Sequence, residues 1–184
     1  MESQAEIEKV GVLTAQSPRF ASLGDRFLAQ AVDMLVGIGL FFFFGFLISG
    51  TGKSGSFNLT GGAALLMIFL VSTLMLAYFV AGEALIGVTL GKITAGIRVE
   101  MPDGALIGWR PSIVRNLMRL VDGLPIFYLV GAFSFLLTKH SQRLGDLVAN
   151  TVVTQDQREP WVRAAALAGA LVFLILAVMI GKHV

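Results

Sequence analysis

Hydrophobic positions dominate three long stretches, Met34 to Ser49, Gly61 to Gly82 and Ala164 to Gly181, and none of them holds a charged residue. About 20 apolar residues in a helix cross a bilayer core, so each stretch predicts a membrane-spanning helix. The first should start near Ser22 or Asp25, both good capping types, and run to Ser49. The second covers Gly61 to Gly82 and closes at Glu83. The third covers residues 162–181 behind Trp161 and Arg163, residue types that anchor helices at the interface. Residues 1–18 are polar and acidic and lack the basic start of a signal peptide, so they read as a retained, mobile tail. Gly50 to Thr60, rich in Gly, Ser and Thr, reads as a turn.

The pattern changes after Glu83. Ile97 to Met101 and Ala105 to Trp109 are short strand-like runs on either side of Pro102-Asp103-Gly104, which predicts a small β-hairpin at the membrane surface. Pro111 suits the first turn of a helix over Ser112 to Val121. At Asp122-Gly123-Leu124-Pro125 that helix should break, because proline removes a hydrogen bond and clashes with the preceding turn. Leu124 to Leu137 is apolar again but too short to cross alone. A polar segment, Lys139 to Asp146, follows, and then Thr151 to Thr154, a strand candidate that could add to the hairpin.

Counting Lys and Arg orients the chain. The tail to Arg26 holds three, the first loop one (Lys53), residues 83–119 five and residues 138–163 four. The positive-inside rule places the N-terminus and the 83–119 segment in the cytoplasm. If residues 112–137 crossed, the last four basic groups would lie outside. A chain that turns back at Gly123 to Pro125 keeps them inside, and such a turn is tolerated where it is buried in protein or lines a wet cavity. The expected architecture is therefore an all-α integral membrane protein with three transmembrane helices and a broken, re-entrant helix pair. That makes four membrane segments, with a cytoplasmic β-hairpin added. It divides into the tail (1–18), a membrane domain (19–155) and an additional C-terminal helix (156–184).

Composition agrees. The chain has 184 residues, 55% hydrophobic and 14% charged, with a mean hydropathy of +0.79, whereas soluble domains run near 25% charged. A net charge of +2 and no interleaving of aromatic and basic residues give no case for nucleic acid. With no cysteine, disulfide and thiolate chemistry are excluded. His140 and His183 have no ligand-like spacing, so neither a metal nor a cofactor is expected. Gly87 to Thr94 (GVTLGKIT) is one residue short of a P-loop and has Ile93 after the lysine, so its glycines are better read as turn-formers. No serine sits in a nucleophile elbow, and an enzyme has no residues to stand on.

The exceptions to the apolar pattern carry the interest. A charge in hydrocarbon costs about 2.5–3.5 kcal/mol on insertion scales, yet Arg26, Gln30 and Asp33 form a polar stripe on helix one. RFLAQAVD (26–33) matches RNLMRLVD (115–122) at four of eight positions, and Arg115, Arg119 and Asp122 form the second stripe. Buried charges normally pair, so Asp33 should meet Arg115 or Arg119, and Asp122 should meet Arg26. Glu83 could pair with Lys92 or Arg98, and Arg143-Leu-Gly-Asp146 reads as an Arg–Asp tie or cap docking its segment under the helices.

Arg26, Asp33 and Asp122, together with GVTLGKITAGIRV (87–99) and QRLGDLVANTVV (142–153), resemble the RDD family of bacterial multi-pass membrane proteins, named for that arginine and those two aspartates. The resemblance covers about residues 19–155. It implies residence in the bacterial inner membrane and a transport role such as sodium/proton exchange, with the charge network Arg26, Gln30, Asp33, Arg115, Arg119 and Asp122 as the ion-binding or structural site.

Two functional classes follow. One is a small ion-coupled or solute transporter using intramembrane Asp/Arg pairs, working as a homo-oligomer. The other is a non-catalytic accessory or assembly subunit of a larger membrane-protein partner, docking through its last helix, whose Ala164 to Ala170 segment is rich in small residues. The arginines outnumber the stripe's acids. A cation carrier prefers carboxylates free of arginine, so the surplus points instead to structure or to an anionic ligand. Arg19, Arg26, Arg115, Arg119 and Arg143 are candidates for holding the phosphate of a membrane lipid headgroup.

Overall fold

The computed structural model describes residues 19–49, 59–122, 143–156 and 158–183. Helix α1 spans Leu23–Ser49. It starts with a reciprocal capping box: the Ser22 amide and hydroxyl donate to the Asp25 carboxylate (2.9 and 2.8 Å), and the Asp25 amide donates back to the Ser22 hydroxyl at 3.2 Å. Both capping candidates are thus used, one at each position. Helix α2 spans Gly61–Ile86. It continues one turn past Glu83 because the first residue able to stop it is Gly87, whose left-handed φ of 74° ends the helix with its N–H on Glu83 O.

A short helix α3, Leu90–Ala95, then opens on Thr89, whose hydroxyl accepts the Lys92 amide, and closes at Gly96. Strand β1 is Ile97–Glu100. Helix α4 is Trp109–Asp122, with Pro111 in its first turn. Helix α5 is Leu144–Val148, strand β2 is Val152–Gln155 and helix α6 is Pro160–His183.

Among the described residues, three helices are long and apolar enough to cross a membrane: α1, α2 and residues 160–181 of α6. In lipid no hydrophobic force pulls helices together, so close packing of small residues does that work. α1 and α6 run side by side in the same direction. A Cβ on Gly39 would sit 3.0 Å from the Phe173 ring and 3.4 Å from the Leu174 Cα, and one on Gly181 would sit 3.2 Å from the Phe43 Cα. Ala166, Ala170 and Ala177 are buried, and Ala170 packs with Val32 and Val36 of α1. Ala166, Ala170 and Ala177 therefore serve an internal seam, while Ala164, Ala165 and Ala168 are exposed and Gly169 faces open space.

At the end where α1 begins, a two-stranded antiparallel sheet pairs Ile97 with Gln155 and Val99 with Val153. Phe20 bridges to Thr154, and Ala21 N–H donates to Val153 O at 2.9 Å. Beneath it Ala21, Ala29, Ala95, Ile97, Val99, Ile107 and Val153 form one core. α4 lies against the last turns of α2 with its polar face inward. Ser112, Arg115 and Asn116 are buried, whereas Trp109, Ile113 and Leu117 face outward.

The expected hairpin does not form. The turn at Met101 to Gly104 is present, with Gly104 N–H on Met101 O at 2.9 Å, but the chain leaves it without a second strand. Gly108 takes a left-handed φ of 66° and Trp109 starts α4. The outer edge of β1 is already used, since Val99 N–H donates to Gly87 O at 2.7 Å. Its partner on the other edge is β2, more than fifty residues later, the strand expected only as an addition.

That pairing has a topological consequence. β2 lies beside β1, so residues 143–155 return to the end at which residues 97–100 lie, and three spans then leave the two ends of the described chain on opposite sides. The tail (1–18), most of the first loop, the break at Gly123 to Pro125 and the apolar run Leu124 to Leu137 lie outside the described residues. The re-entrant pair is therefore not part of the described fold.

Candidate functional site

Among the described residues, buried charged groups collect in two places. The first is a lattice of charges around Glu83 and Asp146. Glu83, in the last turn of α2, is 0% exposed. One of its carboxylate oxygens accepts from Lys92 Nζ at 2.7 Å, and the other accepts from Arg115 Nε and Asn116 Nδ2, both at 2.9 Å. The Arg115 guanidinium also reaches Asp146 Oδ1. Asp146 Oδ2 takes Arg26 Nη1 at 2.7 Å and the Arg143 amide at 3.1 Å. The order Lys92–Glu83–Arg115–Asp146–Arg26 ties α3, α2, α4, α5 and α1 together, with two acids and three cations alternating. Ser112 adds a hydrogen bond from its hydroxyl to Val80 O at 2.9 Å.

The geometry fixes the charge states. Burial alone would raise the Asp146 carboxyl, but the Arg115 and Arg26 guanidinium groups beside it hold it below the usual carboxylate range. Burial pulls the Lys92 ammonium down while Glu83 pushes it up, and the net is downward. Around this lattice stand two further cations. Arg119 lies over the Phe79 ring at 4.1 Å, and its Nη2 is 3.9 Å from the Glu83 oxygen that already binds Lys92. Burial lowers the Arg143 guanidinium, and the charges of Arg26 and Arg119 lower it further.

The second place is Asp33, 1% exposed. Oδ1 accepts from the Tyr78 hydroxyl and from Gly91 N–H, both at 2.8 Å, and Oδ2 accepts from the Thr89 hydroxyl at 2.7 Å. Tyr78 in turn accepts Leu90 N–H at 2.8 Å. All of these donors are neutral. Gly91 is required by close approach: a Cβ there would sit 2.0 Å from Ala29 O and 2.7 Å from the Asp33 Cγ. At 1.5 Å per helical residue, Asp33 lies about 15 Å from the start of α1, whereas Glu83 lies about 5 Å from the end of α2. Counted along its own helix, Asp33 therefore lies farther from the helix end than Glu83 does.

The expected pairs are redistributed. Asp33 meets neither Arg115 nor Arg119. Arg115 serves Glu83 and Asp146, and Arg119 approaches only Glu83. Arg26 and Asp33 are seven residues apart, so they share a face but stand about 10 Å apart along the axis and reach different layers. The two stripes do meet, through their arginines: Arg26 and Arg115 share Asp146. Asp122 closes α4, and its side chain lies outside the described residues. Gln30 is half-buried and Arg19 is exposed. Arg26 and Arg115, taken as phosphate candidates, are occupied by carboxylates.

Glu83 pairs with Lys92 as expected but not with Arg98, which is 3.7 Å from Glu100. Of the two readings of Arg143-Leu-Gly-Asp146, the cap is present through the Arg143 amide, while the ion pairs of Asp146 are with Arg26 and Arg115. Tyr78 and Thr89 carried no signal beyond being polar near an apolar run.

A comparison with family models matches the RDD family over residues 20–150. No curated protein matches the chain, and no solved structure does.

Proposed function

The chain belongs to the RDD family, and within it we propose a small ion-coupled carrier, of the sodium/proton type or for a small solute, in which Asp33 handles the cation. The observation that carries this reading is the company Asp33 keeps. It is a carboxylate well inside α1 with three hydrogen bonds from neutral groups and no basic side chain within ion-pair distance among the described residues. A carboxylate locked to arginine is poorly suited to exchanging its ion. Hydroxyls can donate or accept, so Thr89 and Tyr78 can turn from serving Asp33 to joining it around a hard cation, which takes oxygen ligands. The Glu83–Asp146 lattice has the opposite character and serves as the clamp that holds five elements around this site.

The same reading places the protein in a bacterial inner membrane with its N-terminus in the cytoplasm. Lys92, Arg98 and Arg115, as well as Arg158 and Arg163, lie at the end where α1 starts, and basic residues favour the cytoplasmic side.

The alternative is a non-transporting subunit of a larger membrane complex, working without chemistry of its own. It draws support from α6, which turns Leu171, Ile175 and Met179 outward. Ion flux into vesicles made with the purified protein separates the two. Accumulation of protons or sodium against an imposed gradient is the expected result. A protein that is inert with every cation tried, and that leaves its own membrane in fixed ratio with a larger one, is a subunit.

A further inference from the structure

The junction of α3 and α6 holds a cation that neither the lattice around Glu83 nor the site at Asp33 uses. A cavity of about 270 Å³ opens there, lined by Thr94, Pro160, Arg163, Ala164 and Leu167. Arg163 is fixed in its wall, since its Nε donates to Thr94 O at 2.9 Å. Gly96, with a left-handed φ of 68°, lets the guanidinium lie against the backbone, because a Cβ there would sit 3.1 Å from Arg163 Cζ. What the guanidinium lacks is an acid. Asp156 is close by, with its amide on Gly96 O at 2.7 Å, but its carboxylate is held by Arg158 at 2.7 Å. Glu159, four residues before Arg163, is exposed and forms no ion pair with it. Among the described residues the terminal nitrogens of Arg163 have no hydrogen-bond partner.

The cavity also has an apolar outlet. Ala164 and Leu167 are followed one turn later by Ala168 and Leu171, and all four are exposed. They form a path of small and aliphatic side chains that runs along α6 away from the arginine. Trp161, also exposed, stands with Arg163 in the opening turn of this apolar helix, as such residues do at a membrane–water interface. The cavity is smaller than the roughly 300–1,000 Å³ pockets that enclose whole small molecules. It suits one end of a longer molecule whose remainder lies along the helix.

We propose that this groove binds one anionic phospholipid, with its phosphate on the terminal nitrogens of Arg163 and an acyl chain along Ala164, Leu167, Ala168 and Leu171. The planar fork of arginine matches phosphate oxygens two at a time. The apolar path by itself would accept any hydrophobic partner, and the acid-free guanidinium at its head selects one that carries an anion there. The site shares no residue with that around Asp33 and does not depend on it.

The test is thermal melting of the full chain in a neutral detergent with added phosphatidylglycerol, phosphatidylcholine or inorganic phosphate. Phosphatidylglycerol should raise the melting temperature, and the other two should not at the same concentrations. Arg163→Lys keeps the charge but loses the fork, whereas Ala164→Trp keeps the arginine and fills the groove. Each should shift the phosphatidylglycerol response to roughly tenfold higher lipid concentration or more, the loss expected for a charge-assisted contact. Ala164 is exposed, so its variant should melt near wild type without lipid and reports even where a change at Arg163 unfolds the chain. An equal phosphatidylglycerol response in wild type and both variants would leave Arg163 an interface anchor only and overturn the proposal. So would no response at all, or an equal rise with inorganic phosphate, which would make the ligand a free anion.

Discussion

Glu83 and Asp33 are both buried acids whose hydrogen bonds join α2 to its neighbours, yet they are satisfied in opposite ways. Glu83, near the end of α2, is held by an ammonium and a guanidinium, with an amide completing its shell. Asp33, about 15 Å from the start of α1, is held by two hydroxyls and a backbone N–H. Ion pairs of long side chains fit where lysine and arginine can reach headgroup level. Farther from a helix end each added charge is dearer, and short neutral donors from α2 and α3 take over. A paired acid is held by fixed opposite charges, whereas an acid among hydroxyls keeps partners that can reorient. That difference separates the clamp from the candidate ion site.

The largest effect should come from cutting the clamp. Glu83→Gln leaves Lys92 and Arg115 without their carboxylate, and losing one partner of a buried pair costs about 3–5 kcal/mol. Melting in detergent should fall steeply or the variant should fail to fold, and a melting temperature near wild type would mean that the lattice holds nothing together. Next is Gly91→Ala, which sets a methyl group against Ala29 O and forces α3 off α1. Overpacking of this kind costs about 1–3 kcal/mol. Adding Asp33→Ala should not relieve it, because the Ala29 carbonyl, 2.0 Å from the new Cβ, is backbone that no side-chain change removes.

The clamp also makes a pH prediction. Asp146 is lowered in the fold relative to an ordinary carboxyl, so its contribution is present at neutral pH. It is lost as pH falls below about 4 toward its folded value. Melting temperature should drop over that acid range, and Asp146→Asn should start lower and lose part of that slope. Tyr78→Phe should be mildest, removing one neutral hydrogen bond to Asp33 for about 1 kcal/mol. Its interest is that it should lower flux more than it lowers stability.

Much of the frame was legible in the residues. Long apolar runs, Ser22 with Asp25, Pro111, the Glu83–Lys92 pair and the cap in Arg143-Leu-Gly-Asp146 are local patterns, and local spacing decides them. The sheet was not, because β1 could be matched with the adjacent Ala105 to Trp109 run, and only the fold shows that Gly87 takes one edge and Val152–Gln155 the other. The repeat of RFLAQAVD in RNLMRLVD suggested stripe against stripe. It paired Asp33 with Arg115 or Arg119, whereas Arg115 shares Asp146 with Arg26, and the partners of Asp33 are Tyr78 of α2 and the start of a short helix that carries no periodic signal. Thr89 and Gly91 become site residues only when α3 packs against α1.

The absence of cysteine lets the topology be checked cleanly. Single cysteines at Asp103 and Glu159 should label from one side of the membrane and one at His183 from the other. Opposite labelling of the first two would contradict the pairing of β1 with β2.

The most direct measurement is cation flux into vesicles by wild type and Asp33→Asn side by side, with melting temperature recorded for both. Asp33→Asn should fold, melt within a few degrees of wild type and carry no cation. Equal flux from the two proteins would contradict the ion-site reading and return Asp33 to the role of a helix staple.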